Sequence, residues 1–545
     1  RGSGGNSFNQ SLNNTRWVWQ NYMNLNKTYG KHGLSGTLGT EFQNEVFNSF
    51  SAQGRTLADN FFMQNNVISG SAVTQLSGGS FGKGPGFVSY FARANYDYDN
   101  KYFFQISLRR DGLSRFAPDN RFGTFPGISA GWRISENDFW KNSKVLGFFD
   151  EAKVRASWAK VGNDQIAGGS FPFMSLYGLA PYGGLSGIAV SSVGNSGLSW
   201  ETNEKYNIGV DLSFLNNRVN FTFDWFQNRN NGLVLAAPLP VSFGVPGNSI
   251  YRNIGDMENK GIELTIGGTL VSNKELTWDV NLNFTKVTNE VKSLYLNQDV
   301  PGAYNILRIG QPINALYGYR FAGVNSGNGN PMYYKADGSM IQGNIASSNY
   351  RLVVGADDPT LGAATTLAGS DRTILGNVLP TWFGGFNNTI RYKGFTFDML
   401  WRFSGGNKIF NLTQQEALVN QAFQNNGRKI LERWTKAGDV TSVPRLWYGR
   451  DNFTNLSGNA VDRFVESGDF GRLENVQLSY NVDLKKAKLA NNVGFKSLRV
   501  FVQGQNLILL TNYSGIDPEN ITEGGIDNNT VPRPRIISFG FNLGL

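Results

Sequence analysis

The stretch YNIGVDLSFLNNRVNFTFDWFQN, from Tyr206 to Asn228, decides the fold. Tyr206, Ile208, Val210, Leu212 and Phe214 take every second position, with Asn207, Gly209, Asp211 and Ser213 between them. After Leu215-Asn216-Asn217-Arg218 the alternation resumes, with Val219, Phe221, Phe223 and Trp225 set against Asn220, Thr222 and Asp224. A period of two puts each set on one face of a strand. The four residues between the halves tolerate the left-handed backbone that a tight hairpin needs. The stretch therefore predicts a long β-hairpin with one aromatic and aliphatic face and one small, polar face.

The pattern recurs in both directions along the chain. Arg16 to Asn26 pairs with Gly33 to Ser49 around Tyr29-Gly30-Lys31-His32, and Phe87 to Tyr96 pairs with Tyr102 to Arg110 around Asp97-Tyr98-Asp99-Asn100. Thr124 to Ser135 and Ala152 to Val161, Ile254 to Leu270 and Leu276 to Val287, and Thr381 to Arg391 and Phe395 to Ser404 form further pairs. Phe470 to Val482 and Leu498 to Leu510 follow, and Arg535 to Leu545 comes last. The glycine-rich run Ser77 to Gly86 lacks a Walker lysine and reads as a flexible loop. One helical region is expected, loop-borne between Thr413 and Lys436. Short turns alternate with long connections once Ile313 to Val324 is assigned to a loop of roughly Asn289 to Leu379. Parity requires that assignment, because the strands on either side must run in opposite senses. The tally is about fifteen long antiparallel strands.

The next question is which face meets which solvent. A soluble sandwich also alternates, with its apolar face inward. Three features favour a membrane barrel instead. The strands run to about twice the usual five to six residues. The polar face is rich in Asn, Thr, Ser and Gly, a lining suited to a wet or plugged lumen. Aromatics gather near strand ends (Trp17, Trp19, Tyr96, Tyr102, Trp132, Trp200, Trp225, Trp278), where interfacial girdles belong. The expected fold is an all-β, transmembrane antiparallel barrel with long extracellular loops. Fifteen is odd, so an even-stranded barrel needs an odd number of further strands upstream. The closing RIISFGFNLGL resembles the C-terminal signal by which such barrels are recognised for insertion.

Composition narrows the function classes. Cys is absent among 545 residues, so disulfides and thiolate metal sites are excluded. The net charge is +9, but Lys and Arg are scattered without a basic cluster, which argues against nucleic acid. The single histidine, His32, sits in a turn, and with one His a hydrolase triad is nearly excluded, so no enzyme is expected.

Several stretches resemble the SusC/RagA family of TonB-dependent outer-membrane transporters. They include RRDGLSRFAPDNRFGTFPGISAGWRISENDFW (Arg109 to Trp140), LSWETNEKYNIGVD (Leu198 to Asp211), NIGDMENKGIEL (Asn253 to Leu264), RFVESGDFGRLENVQLSYNV (Arg463 to Val482) and LRVFVQGQNLILLTNYSGIDPE (Leu498 to Glu519). The resemblance implies a 22-strand barrel, of which residues 1–545 would be the C-terminal ~15 strands. The N-terminal plug, TonB box and first ~7 strands would then lie outside this chain. It implies TonB-driven import of a glycan or peptide under a SusD-like surface lipoprotein lid. The partners would be TonB, that lid, the bilayer with its lipopolysaccharide, and a homodimer of the transporter–lid pair. A passive porin, a siderophore or other-cargo TonB-dependent receptor, and a soluble β-array are the competing readings.

Candidate residues follow from this picture. Loop aromatics stack on sugars or anchor peptides, which nominates Tyr177, Tyr182, Tyr333, Tyr334, Trp447, Tyr448 and Tyr513. Arg109, Arg155, Asp211, Asp224 and Asp398 are expected on the lumen side, lining a path or gripping a plug. No cofactor is expected beyond a weak option for calcium at Asp517, Glu519, Glu523 and Asp527, which share one loop.

Overall fold

The computed structural model describes residues 5–57, 70–72, 78–420, 425–449, 451–484 and 496–544. Among these, and apart from Ala315–Val324, fifteen strands of nine residues or more are present. They are Gly5–Tyr29, His32–Leu57, Phe87–Tyr98, Tyr102–Leu113, Phe122–Arg133, Phe149–Asn163, Glu201–Phe214, Val219–Pro238, Ser249–Ser272, Leu276–Ser293, Trp382–Tyr392, Phe395–Gly405, Phe470–Asn481, Ser497–Thr511 and Ile536–Gly544. No helix among the described residues is long and apolar enough to cross a membrane. The chain divides into two compact units. One comprises Arg1–Trp132, Arg155–Tyr206 and Arg229–Asp256, and the other Arg133–Val154, Asn207–Asn228 and Met257–Leu545.

In the first unit, five strands from Gly5–Tyr29 to Phe122–Arg133 pair antiparallel in chain order. Their register carries apolar residues across one face, in rows Leu34, Tyr96, Phe104, Ala130 and Gly36, Ala94, Ile106, Ile128. This apolar face is the open one. Phe104 is 53 %, Ile106 61 % and Leu108 52 % exposed, while Glu41 and Asp111 on the opposite face are each 8 % exposed. In water such a face would forfeit about 1.5–3 kcal/mol per large side chain, whereas hydrocarbon solvates it. The row nearest the turns is His32, Tyr98, Tyr102 and Trp132, with Tyr102 and Trp132 stacked at 6.2 Å. It has the composition of an interfacial girdle.

The second unit repeats the alternation across six strands. One row reads Trp278, Ile390, Phe397, Leu478, Val502, Phe539, and the row one residue along reads Asp279, Thr389, Asp398, Gln477, Gln503, Ser538. A one-residue slip of any strand would exchange the two faces. The turns hold this register. At the turn of the Tyr206 to Asn228 hairpin, Leu215, Asn216 and Asn217 all have φ of 57–58°. Left-handed backbone at Leu215 costs about 1–2 kcal/mol. Offsetting bonds run from the Asn217 N–H to Asp150 Oδ2 (2.9 Å) and from Ser213 Oγ to Asn217 Oδ1 (2.6 Å).

Three expectations change. The glycine-rich run from Ser77 is not simply a loop: Gly78–Lys83 is a strand paired with Val46 to Ser51, because glycines lie flat against a neighbouring backbone as readily as they bend away. Ser77 itself lies outside the described residues. Among the described residues, which exclude 421–424, the helix expected from Thr413 to Lys436 is instead two separate helical turns, Gln414–Leu418 and Arg428–Glu432. Val419 and Ile430 pack into the loop core described next while Leu418 and Leu431 stay exposed, so no continuous apolar stripe is buried that would hold one long helix. Finally, the long connection after Leu276–Ser293 is itself folded. Ala315–Val324 stands outside the main strand set, as parity required, and pairs antiparallel with Pro331–Tyr334 and Thr373–Gly376 and parallel with Ala460–Val461. Leu316, Tyr319, Tyr333, Ile341, Phe410, Val461 and Phe464 form its core. Gly318 permits the parallel contact, since a Cβ there would stand 2.0 Å from the Ala460 carbonyl oxygen.

Candidate functional site

Three successive rungs of the polar face in the first unit build a cleft. They are Thr37, Arg93, Ser107, Gly127; then Gly39, Phe91, Arg109, Phe125; then Glu41, Ser89, Asp111, Gly123. Lys160, Gly162 and Asp164, spaced two apart, continue the lining, and Trp200 completes it. The cavity holds about 720 Å³, within the range of small-ligand sites. Glycines make room for its rings. A Cβ at Gly39 would lie 2.3 Å from Phe91 Cζ, and one at Gly162 would lie 2.3 Å from Phe125 Cζ and 2.7 Å from Trp200 Cε3. The rings thus lie down on the wall and leave the space in front of them open.

Arg109 is the centre of the cleft. Its Nε donates to Asp111 Oδ1 at 2.7 Å, and its Nη2 stands 3.5 Å from Glu41 Oε2. The guanidinium carbon lies 5.6 Å from the ring centres of both Phe87 and Phe91, a cation–π arrangement. Gln20 Nε2 donates to Glu41 Oε2 at 3.1 Å, which fixes that carboxylate as well. Arg109 was legible as a polar-face residue. Glu41, Asp111, Phe91, Lys160 and Asp164 were not singled out, and Trp200, expected in an interfacial girdle, is instead buried against Phe116 and Phe125 beside the cleft. The signal for Asp111 was present in its i, i+2 spacing from Arg109, which puts the two on one face. Glu41 is 68 positions from Arg109 and required the register.

The other polar-face candidates sit elsewhere. Asp211 accepts from Thr222 Oγ1 at 3.2 Å and Asp398 from Thr389 Oγ1 at 2.7 Å, and Asp279 repeats the device with Thr269 at 2.6 Å. Each hydrogen bond ties the two strands of one hairpin. Asp224 is buried, and Arg155 is half-buried and does not line the cleft.

The loop aromatics separate into two groups. Tyr177 and Tyr182 are exposed, Tyr182 to 89 %, on or beside the small hairpin of Leu176–Leu179 and Ile188–Ser192. Tyr448 is exposed, and Trp447 lies 5.3 Å from the Arg445 guanidinium. Tyr334 is half-buried, with Arg320 over its ring at 4.9 Å. Tyr333 and Tyr513 do not belong with these. Tyr333 is 1 % exposed in the loop core and donates its hydroxyl to the Thr454 carbonyl at 3.1 Å. Tyr513 is buried and donates to Asp527 Oδ2 at 2.5 Å. Burial pushes both phenols up, with the Asp527 bond adding to the shift at Tyr513. Loop position in the sequence marks a residue as unpaired with the sheet but says nothing about burial within a loop that folds on itself.

Three of the four carboxylates nominated for calcium are held otherwise, and the fourth, Glu523, is exposed. Arg472 Nη2 meets Asp517 Oδ1 at 2.6 Å, and its Nε meets Glu519 Oε2 at 2.8 Å. Arg402 bridges Glu474 (3.1 Å) and Glu519. Asp527 Oδ1 accepts from Thr413 Oγ1 at 3.0 Å. Arginine has already neutralised the pair that would carry such a site, and no cluster of three metal-ligating side chains occurs among the described residues.

Comparison with known proteins adds the following. A family model described as "TonB dependent receptor-like, beta-barrel" matches residues 1–507. TonB-dependent receptor P39 of Formosa agariphila is 31 % identical over 96 % of this chain and 52 % of its own length. TonB-dependent receptor SusC of Bacteroides thetaiotaomicron is 28 % identical over 84 % of this chain and 43 % of its own. The chain thus spans about half the length of the curated relatives it matches. Among solved structures, the RagAB peptide transporter superposes with a TM-score of 0.82 over 99 % of this chain and 56 % of that one, at 23 % identity. That likeness is one of fold.

Proposed function

This chain belongs to the family of TonB-dependent receptor-like β-barrels, of the SusC/RagA kind, and from that premise we propose that the whole protein imports a nutrient across the bacterial outer membrane with energy delivered through TonB. The observation that carries the reading is the inversion of the strand faces. Apolar side chains such as Ile106 are open while Glu41 and Asp111 are covered, which suits lipid outside and a polar passage inside. The work is conformational gating: cargo is bound, admitted and released without breaking a bond in it, so the protein is not an enzyme.

The partners that complete the reading are a SusD-like surface lipoprotein acting as a lid, TonB, and the bilayer that receives the apolar face. The cargo is a glycan or a peptide. SusC and a peptide transporter stand among its relatives and structural neighbours. The Arg109 cleft and the exposed Tyr177, Tyr182, Trp447 and Tyr448 are the surfaces on which cargo would be held.

The test is uptake by cells producing the full-length protein, with and without functional TonB, together with affinity purification from the outer membrane. Uptake that stops when TonB is removed, and a surface lipoprotein that co-purifies, are expected. Conductance or uptake unaffected by loss of TonB would identify a passive channel and overturn the proposal.

A further inference from the structure

We infer that the turn-side end of the open apolar face in the first unit is a headgroup site for an anionic phospholipid. Its phosphodiester is held by Lys27 and the His32–Tyr96 pair, beside Lys31 and Lys101, and its acyl chains lie on Leu34, Phe104 and Ile106. The register builds the site. Lys27 pairs with Leu34 and Tyr29 with His32, so Lys27 and His32 stand on adjoining strands, one rung apart on the open face. Lys27 Nζ lies 5.3 Å from the centre of the Tyr29 ring, drawn toward the turn-side rung as a lysine leaving hydrocarbon is. His32 Nδ1 and the Tyr96 hydroxyl are 2.8 Å apart. Whichever of the two donates, the pair keeps one spare donor, the other imidazole N–H or the phenol O–H. At the turns, the Asp99 N–H donates to the Lys31 carbonyl at 2.7 Å, which joins one turn to the next. Asp99 Oδ2 meets Lys31 Nζ at 3.1 Å and Lys101 Nζ at 3.5 Å.

Charge complementarity selects the occupant. Lys31 and Lys101 share the one Asp99 carboxylate, and Lys27 has no acidic partner among the described residues. Asp97 lies over Gly33 on the opposite face and answers none of them. Three ammoniums against one carboxylate leave two positive charges uncompensated. Tyr98, Tyr102 and Trp132 complete the His32 rung and mark the depth at which headgroups lie. The apolar rows of Leu34 with Phe104 and of Ile106 follow directly from it. A phosphodiester meets the ammoniums and the spare donor with its two free oxygens, and such charge-assisted bonds are the stronger kind. The headgroup of phosphatidylethanolamine brings an ammonium of its own, which the cluster repels, so the site favours an anionic lipid over a zwitterionic one.

The experiment uses the full-length protein in detergent, titrated with phosphatidylglycerol and phosphatidylethanolamine of identical acyl chains, with bound lipid read by native mass spectrometry. Phosphatidylglycerol should bind about ten-fold or more tightly, since each ammonium near an anionic headgroup contributes about five-fold. Lys27→Gln combined with Lys31→Gln should bring the two lipids close to parity. Arg110→Gln removes a cation nearer the loop-side end of the same face and should leave the preference as it is. Heat-modifiable mobility on gels confirms that each variant is folded. Equal binding of the two lipids by the unaltered protein overturns the inference without any variant. So does a preference that survives in the double lysine variant, or one that Arg110→Gln removes equally, because net charge alone would then set it. Displacement of phosphatidylglycerol by millimolar inorganic phosphate would assign the ammoniums to free phosphate and overturn the lipid site. None of these outcomes depends on whether the protein imports cargo.

Discussion

Arg472 and Asp517 face each other at 2.6 Å with 3 % of each side chain exposed, so a strand residue and a loop residue 45 positions apart share a charge pair out of reach of water. Such a pair is costly to form and costlier to break from one side, because the remaining charge has nowhere to go. Arg472→Met should therefore destabilise the protein by about 3–5 kcal/mol. Arg472→Met combined with Asp517→Leu should recover part of that loss, the rest reflecting Glu519, which Arg472 also holds. Unfolding in detergent micelles against denaturant gives both numbers. Equal losses in the single and double variants would remove the charge-pair explanation.

The face assignment is open to a paired substitution. Ile106→Arg places a charge on the open apolar face and should cost about 2–4 kcal/mol near the bilayer midplane. Gln105→Arg, one residue away on the polar face, should assemble nearly as well as the parent. Heat-modifiable mobility of the outer-membrane fraction on gels reports folded barrel. Equal failure of the two variants would mean that the faces have been assigned the wrong way round.

On the apolar face of the second unit, Asn388 is buried, and its Oδ1 accepts from the Trp278 indole N–H at 2.6 Å. Trp278→Phe should cost about 1–3 kcal/mol by leaving that amide oxygen without its donor. Trp278→Phe with Asn388→Leu should cost less than the single change, since both polar partners are then gone. A double-mutant cycle on unfolding free energies measures the coupling, and additive losses would show that the bond carries none.

Asp439 supplies a local response to pH. The Thr435 hydroxyl at 2.7 Å and the N–H groups of Thr435 and Lys436 at 2.9 and 3.0 Å hold its carboxyl below the usual range. A carboxylate lowered in the folded state contributes order above its ordinary pKa and loses it as pH falls through the lowered one. Exchange protection of the Thr435 and Lys436 amides should be full at neutral pH and fade below about pH 4. Asp439→Asn should show much of that loss already at pH 7. Unchanged protection in the variant would assign the order of this turn to its other contacts.

Much of this architecture is local and was legible. Alternation at Tyr206 to Phe214, or Trp278 to Phe284, is written residue by residue, and a strand's two faces need no knowledge of its neighbours. Parity carried this further and set Ile313 to Val324 apart from the long strands. The loop residues failed for one reason. The Thr413 to Lys436 segment has helical spacing, yet Val419 and Ile430 are claimed by a core drawn from residues 316 to 464 while Leu418 and Leu431 stay exposed. Tyr333 and Tyr513 lie in loops by sequence and in that core, or against Asp527, by contact.

The sequence by itself determined that the strands are long, antiparallel and two-faced, because a period of two is a property of neighbouring residues and hydrophobic contrast needs no partner. Only the tertiary structure decided which face is open and what the polar face assembles. Register brings Glu41, Phe91, Arg109 and Phe125 onto adjoining rungs and lays rings over Gly39 and Gly162. It also joins Arg472 to Asp517 across a loop. Those relations join residues tens of positions apart, and only the pairing of whole strands, with the loops folded back on them, sets them.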